Sequence, residues 1–115
     1  MEFVALLSTG KGSWAQVAGL IRKGEWDKVI LLGNDFARKF EAGNSEFIEV
    51  NLEQKVSFLR DELLSKLKGR IKGTEVAVSI ASGTGKEHMA LISALLKIPV
   101  GVRFVALTKD GVVEL

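Results

Sequence analysis

The sequence predicts an α/β sandwich: a mostly parallel six-stranded sheet with helices on both faces and an antiparallel strand at the C-terminal end. Short apolar runs alternate with amphipathic helical segments along nearly the whole chain, which is typical of parallel sheets. The chain has 115 residues, one proline and neither a repeat nor a linker. We therefore expect one domain over residues 1–115.

The strands are predicted from short apolar runs, the last of them after a hairpin turn in which Asp110-Gly111 is the favoured pair. The predicted strands are Phe3–Leu7, Lys28–Leu32, Glu46–Val50, Thr74–Ala81, Val102–Leu107 and Val112–Leu115. The helices are predicted from capping residues and from apolar side chains at helical spacing. They run from Ser13 (paired with Gln16) to Gly24, over Phe36–Phe40, from Asn51 (paired with Gln54) to Gly69, and over Gly85–Leu96.

Composition excludes several classes of function. The net charge is only +2, which argues against strong sequence-independent binding to duplex nucleic acid. With no cysteine and one histidine, the chain has neither disulfides nor a thiolate or multi-histidine metal site, and we expect no metal and no cofactor. The N-terminal apolar run lacks a basic flank and is too short for a signal peptide or a membrane span. The expected location is the cytoplasm.

Two glycine-rich loops carry the functional signal. In the Rossmann strand order 3-2-1-4-5-6, ligands bind beyond the carboxyl ends of strands 1 and 4, where the order reverses. The loops Ser8–Gly12 and Ser82–His88 follow these two predicted strands. Thr84 and Glu87 have the spacing of a capping box, and helix-start amides favour anions. Since Lys86 and His88 belong to the same first turn, the pattern predicts a phosphate-bearing ligand.

Two nucleotide-binding motifs give different answers. The Walker A motif does not match, because Ile80 stands where its first glycine belongs and Glu87 follows the lysine. A dinucleotide fingerprint, Gly10-x-Gly12-x-x-Ala15, is present, with Asp35 placed after the second strand as a ribose-binding acid would be. This match leaves a small dinucleotide- or mononucleotide-binding domain as an alternative. Trp14 has helical core spacing, which we favour over base stacking.

The segment Ser82-Gly83-Thr84-Gly85-Lys86-Glu87-His88-Met89, between a strand and an apolar helix, resembles the glycine-threonine-lysine-x-methionine signature of CARF domains, the CRISPR-associated Rossmann-fold sensors of antiviral defence. The early Leu7–Gly12 loop resembles the other ligand loop of that family. The resemblance implies a homodimer that binds a cyclic oligoadenylate across its two-fold axis. It assigns ligand contacts to Ser8, Thr9, Gly10, Lys11, Gly83, Thr84, Gly85, Lys86 and His88.

The resemblance leaves open whether the chain only senses the ring or also cleaves it as a metal-independent ring nuclease, in which case Lys86 is the candidate catalytic residue. Three features depart from the family pattern. Glu87 separates the lysine from the histidine, and its negative charge is unfavourable near phosphate unless it caps the helix. The third departure is the lack of an effector domain, since there is no winged helix and no arginine stands four to six residues before His88 as in the fused nuclease effector. We therefore expect a stand-alone domain without an effector.

A dimer is also indicated by the helix Gly85–Leu96, which is apolar on more than one face. One face is expected to cover the sheet, and the other to meet a partner related by two-fold symmetry. The alternative is that the preceding helix covers this second face. A dimerisation module that has lost its ligand is a further alternative function.

Overall fold

A computed structural model describes residues 1–8, 13–40 and 43–115 of the chain. Its strands are β1 (Glu2–Leu7), β2 (Lys28–Gly33), β3 (Glu46–Glu49), β4 (Glu75–Ser79), β5 (Gly101–Thr108) and β6 (Gly111–Glu114). Its helices are α1 (Trp14–Lys23), α2 (Val56–Leu67) and α3 (Gly85–Lys97), with a 3-10 helix at Asp35–Lys39.

The strands form one six-stranded sheet in the order β3-β2-β1-β4-β5-β6. Neighbouring strands pair in parallel except for β5 and β6, which are antiparallel. The predicted fold class is thereby confirmed, including the C-terminal hairpin. Because the strand order reverses between β1 and β4, their carboxyl ends lie side by side at one edge of the sheet.

The central strand shows why the sheet is covered on both faces. All six residues of β1 are buried, and their side chains alternate between two apolar cores. Val4 and Leu6 belong to the core beneath α2 and α3, whereas Phe3, Ala5 and Leu7 belong to the core beneath α1. The result is a three-layer sandwich in which β1 and β4 are fixed by packing on both sides.

One predicted capping box and one predicted helix start are wrong. Ser13 adopts a helical backbone conformation and makes no side-chain capping hydrogen bond, so the first capping box does not form. α2 starts at Val56 rather than near Asn51. Instead, the Asn51 side chain accepts a hydrogen bond from the amide of Glu53 at 3.0 Å, which closes a local turn that competes with helix. The residues 51–55 form a connection that we call the β3–α2 loop.

α2 and α3 lie side by side on the same face of the sheet and contact each other along their lengths. Part of the second apolar face of α3 is therefore covered by α2, as the alternative interpretation expected. Met89 and Leu96 nevertheless remain 62% and 61% exposed. Within residues 1–8, 13–40 and 43–115, no helix combines the length and the apolar character needed to cross a membrane.

Candidate functional site

The starts of the two predicted ligand loops are joined at the carboxyl edge of the sheet. The amide of Ser8, directly after β1, donates to the Ser82 hydroxyl, after β4, at 3.0 Å. The Ser8 carbonyl accepts from the indole Nε1 of Trp14 at 2.8 Å. All three residues are buried. Trp14 is therefore a core residue, as favoured from its spacing, and it also fixes the backbone from which the first loop leaves the sheet.

Thr9, Gly10 and Lys11, three of the predicted ligand residues, lie outside the described residues. Gly12, which completes the first glycine-rich motif, also lies outside them. The described part of the first loop is thus Ser8, which the structure places next to the second loop as the sequence predicted.

The second loop opens α3 through the predicted capping box. The Thr84 hydroxyl accepts from the amide of Glu87 at 3.3 Å, and the Glu87 carboxylate accepts from the amide of Thr84 at 2.9 Å. The amide of His88 then donates to the Thr84 carbonyl as the first helical hydrogen bond. Since the first four amides of a helix have no helical acceptor, the box leaves those of Gly85 and Lys86 for another partner.

Glu87 is a buried member of this turn, only 5% exposed. Its carboxylate caps the helix. This is the role in which its negative charge was expected to be acceptable near a phosphate. A negative charge at this end also offsets part of the positive helix dipole. An anion at the turn must consequently be held by directional hydrogen bonds more than by the dipole alone.

Gly83 and the His88 ring pack closely against each other in this turn. Gly83 has a φ of +116°, and a Cβ atom there would lie 2.9 Å from His88 Nε2 and 3.1 Å from Glu87 Oε1. His88 Nε2 is 2.9 Å from the Ser82 carbonyl oxygen. Because a carbonyl oxygen only accepts, Nε2 is the protonated nitrogen in this contact. Nε2 of His88 is thus engaged within the turn itself.

Lys86 has hydrogen-bond partners that the sequence did not predict. Its ammonium donates to the carbonyl oxygens of Leu52 and Gln54, both at 2.9 Å. The lysine therefore ties the first turn of α3 to the β3–α2 loop. A phosphate contact from Lys86 must share the ammonium with these two carbonyls.

A small polar cleft of about 240 Å³ lies between these elements. Three predicted site residues, Ser8, Thr84 and Lys86, line it; Gly83, Gly85 and His88 do not. The remaining lining residues are Asn34, Leu52, Glu53 and Glu87. Ligand pockets commonly measure roughly 300–1,000 Å³, so one chain offers room for part of a nucleotide rather than for all of it.

The carboxylate of Glu62 holds the side of the β3–α2 loop that faces away from Lys86. Glu62 of α2 accepts from the amide of Asn51 at 3.2 Å, from the Gln54 side chain, and from Lys66 at 2.7 Å. Burial opposes ionisation of Glu62, but the hydrogen bonds from Lys66 and Asn51 prevail and hold its pKa below the ordinary value. The loop is thus held by a cation on one side and by an anion on the other.

The dinucleotide alternative finds little geometric support. Asp35 lies just beyond β2, where a ribose-binding acid was predicted, but its carboxylate pairs with Arg38 at 3.2 Å. The glycines of the fingerprint lie outside the described residues. Asp35 lines a separate polar cleft of about 400 Å³ with Glu49, Glu62 and others, not the cleft beside Thr84.

Sequence reasoning missed three contributors. Ser82 stood within the quoted motif, yet its hydroxyl proves to be the link to Ser8. Asn34 and the carbonyls of the β3–α2 loop reach the cleft from other strands. Asn34 could have been predicted from its position directly after β2. The loop carbonyls could not, because every residue type has a backbone carbonyl.

Comparison with known proteins adds no assignment, since neither a protein-family model nor a curated protein matches the sequence.

Proposed function

We propose that the chain is a ligand sensor of the CARF type, which binds a cyclic oligoadenylate or a related nucleotide at the carboxyl edge of its sheet as a homodimer. The observation that carries the proposal is the hydrogen bond between Ser8 and Ser82. It joins two loops, each with residues that resemble a CARF ligand loop, at the point where α/β sheets of this order bind ligands. A cytoplasmic location and a role in antiviral defence belong to the same proposal.

The donor set supports a phosphate-bearing ligand. The amides of Gly85 and Lys86 have no acceptor within α3, and an ammonium group lies in the same turn. The adjacent cleft is lined mainly by polar residues. A phosphodiester supplies acceptor oxygens and no donors, which matches this arrangement.

An uncharged stripe on α3 supports the homodimer. Gly85, Met89, Ile92, Ser93 and Leu96 occupy positions i, i+4, i+7, i+8 and i+11 and therefore share one helix face. Met89 and Leu96 are the most exposed of its side chains. The stripe begins in the glycine turn, so two copies that meet along it bring their Gly83–His88 turns towards each other. The clefts of the two chains would then face each other and together offer more volume than one chain does.

Calorimetric titration with cyclic tetra- and hexa-adenylate tests the proposal. We expect binding with a dissociation constant below the order of ten micromolar and one ring for every two chains. Linear oligoadenylates of the same length serve as the matched control and are expected to bind more weakly, because they must be ordered on binding. Saturable binding of neither ring at that concentration would overturn the proposal.

Ring cleavage is a separate part of the proposal. In a metal-independent mechanism, a ribose 2′-hydroxyl attacks the neighbouring phosphorus while the 5′-oxygen leaves, which yields a 2′,3′-cyclic phosphate and a 5′-hydroxyl. The amides of the turn and the Lys86 ammonium would stabilise the charge that develops on the phosphate. Product analysis after long incubation separates sensor from nuclease. Lys86→Ala should lower any cleavage rate at least about tenfold, and normal cleavage by that variant would exclude Lys86 as the catalytic residue.

A further inference from the structure

The Lys86 contacts lead to an inference about how the proposed site responds to its ligand. Lys86 projects from the first turn of α3, but its ammonium meets backbone carbonyls of Leu52 and Gln54, over thirty residues earlier in the chain. Two contacts of 2.9 Å to separate carbonyls fix an otherwise flexible side chain in one position.

We infer that Lys86 is a positioning residue that tethers the β3–α2 loop, and that this tether couples ligand binding to the order of the loop. The coupling to ligand binding rests on the function proposed above. The tether itself rests on the contacts in the structure alone.

The number of donors sets the direction of the coupling. An ammonium has three N–H donors, and two of them serve the Leu52 and Gln54 carbonyls among the described residues. Lys86 also lines the cleft together with Leu52 and Glu53. The third donor is therefore available to an anion in the cleft without loss of the loop contacts. A bound phosphate fixes the ammonium further and so should order the loop rather than release it.

The opposite side of the loop explains why this tether matters. Glu62 binds the loop at Asn51 and Gln54 from α2. Leu52 is buried in the core beneath α2 and α3, at 4% exposure, whereas Asn51, Glu53 and Lys55 are exposed. Removal of the Lys86 ammonium leaves the anchor from α2 in place and frees the side of the loop that faces the cleft.

Hydrogen exchange of the amides at 51–55, read by mass spectrometry, tests the tether without ligand. Lys86→Met removes the ammonium and keeps the apolar stem, and it should accelerate exchange by about tenfold. Lys97→Met removes the same charge at the other end of α3 and should leave exchange unchanged. Lys86→Arg keeps donors and charge and should restore most of the protection. Unchanged exchange in Lys86→Met, or equal acceleration in both methionine variants, would overturn the tether.

The coupling is tested with cyclic tetra-adenylate at saturating concentration. Exchange at 51–55 should slow severalfold in the unmodified protein and stay unchanged in Lys86→Met. Faster exchange on binding would show that the ligand withdraws the ammonium from the loop, and this result would overturn the coupling. Binding without any change in exchange would overturn it as well. Absence of binding overturns the proposed function and the coupling together, whereas the tether is still decided by the variants without ligand.

Discussion

Gly83 is the most sensitive test of the turn geometry. Its φ of +116° is a conformation that residues with a Cβ atom rarely adopt. In addition, the Cβ of an alanine would lie 2.9 Å from His88 Nε2 and 3.1 Å from Glu87 Oε1. Gly83→Ala therefore introduces backbone strain and displaces either the His88 ring or the capping carboxylate.

The magnitude follows from these two effects. Backbone strain at a positive φ amounts to about 1–2 kcal/mol. Displacement of Glu87 loses a helix cap, about 1 kcal/mol, and displacement of His88 loses a hydrogen bond of about 0.5–1.5 kcal/mol. We expect Gly83→Ala to lower the free energy of unfolding by about 1.5–3.5 kcal/mol, which is a large part of the roughly 5–15 kcal/mol that stabilises an ordinary domain.

Gly69 provides a matched control. Its φ is +87°, and a Cβ atom there meets nothing within 4 Å, so Gly69→Ala introduces strain alone. Urea denaturation of both variants should give a loss of about 1–2 kcal/mol for Gly69→Ala and a larger loss for Gly83→Ala. Only Gly83→Ala should also weaken nucleotide binding. Equal losses of stability would refute the claim that the turn is packed against His88 and the cap.

The other predictions concern the cap, the loop link, the dimer and acid stability. Thr84→Ala should lower the free energy of unfolding by about 1 kcal/mol in urea, because the cap of α3 is lost. Ser82→Ala should lower it by about 1–3 kcal/mol in the same assay, because the buried Ser8 amide loses its acceptor. Met89→Glu should weaken dimerisation at least about tenfold in sedimentation equilibrium, because it buries carboxylates at the interface. Hydrogen bonds lower the pKa of Glu62 in the folded protein. The ionised carboxylate therefore stabilises the fold fully above its ordinary pKa, and this contribution is lost as the pH falls through the lowered value. The urea midpoint of Glu62→Gln should accordingly depend less on pH in that range than the midpoint of the unmodified protein.

The predictions for the cap and for the dimer each have a matched control. Thr84→Ser retains a capping hydroxyl and should keep most of the stability, and a full loss would show that the hydroxyl is not the cause. Phe58→Glu changes an apolar side chain on α2 that is 60% exposed, nearly as much as Met89, and should leave the dimer intact. Equal effects of the Phe58 and Met89 variants on association would contradict an interface along α3.

The sequence was sufficient for the fold because its signals are local and repeated. Apolar runs fixed the strands, and the position of two glycine-rich loops after strands 1 and 4 predicted where the sheet order reverses. The Thr84–Glu87 box was predictable for the same reason, since both partners lie within one turn. The Asn51 start failed, although the same type of spacing was present, because the Asn51 side chain closes a turn with Glu53 instead.

The candidate site was less predictable because its contacts join distant parts of the chain. The residue types of Lys86 and His88 suggested ligand contacts, but their polar atoms meet carbonyl groups of Leu52, Gln54 and Ser82. Backbone acceptors have no signature in the sequence. A pattern of residue types therefore located the turn, whereas only the tertiary structure shows which of its side chains are already engaged.

The structure of the dimer with cyclic tetra-adenylate tests the central claim most directly. We predict that the two Gly83–His88 turns face one shared pocket across the two-fold axis, with phosphate oxygens at the amides of Gly85 and Lys86. Two copies that meet through another surface, with the turns apart and the cleft beside Thr84 filled by side chains, would contradict the account.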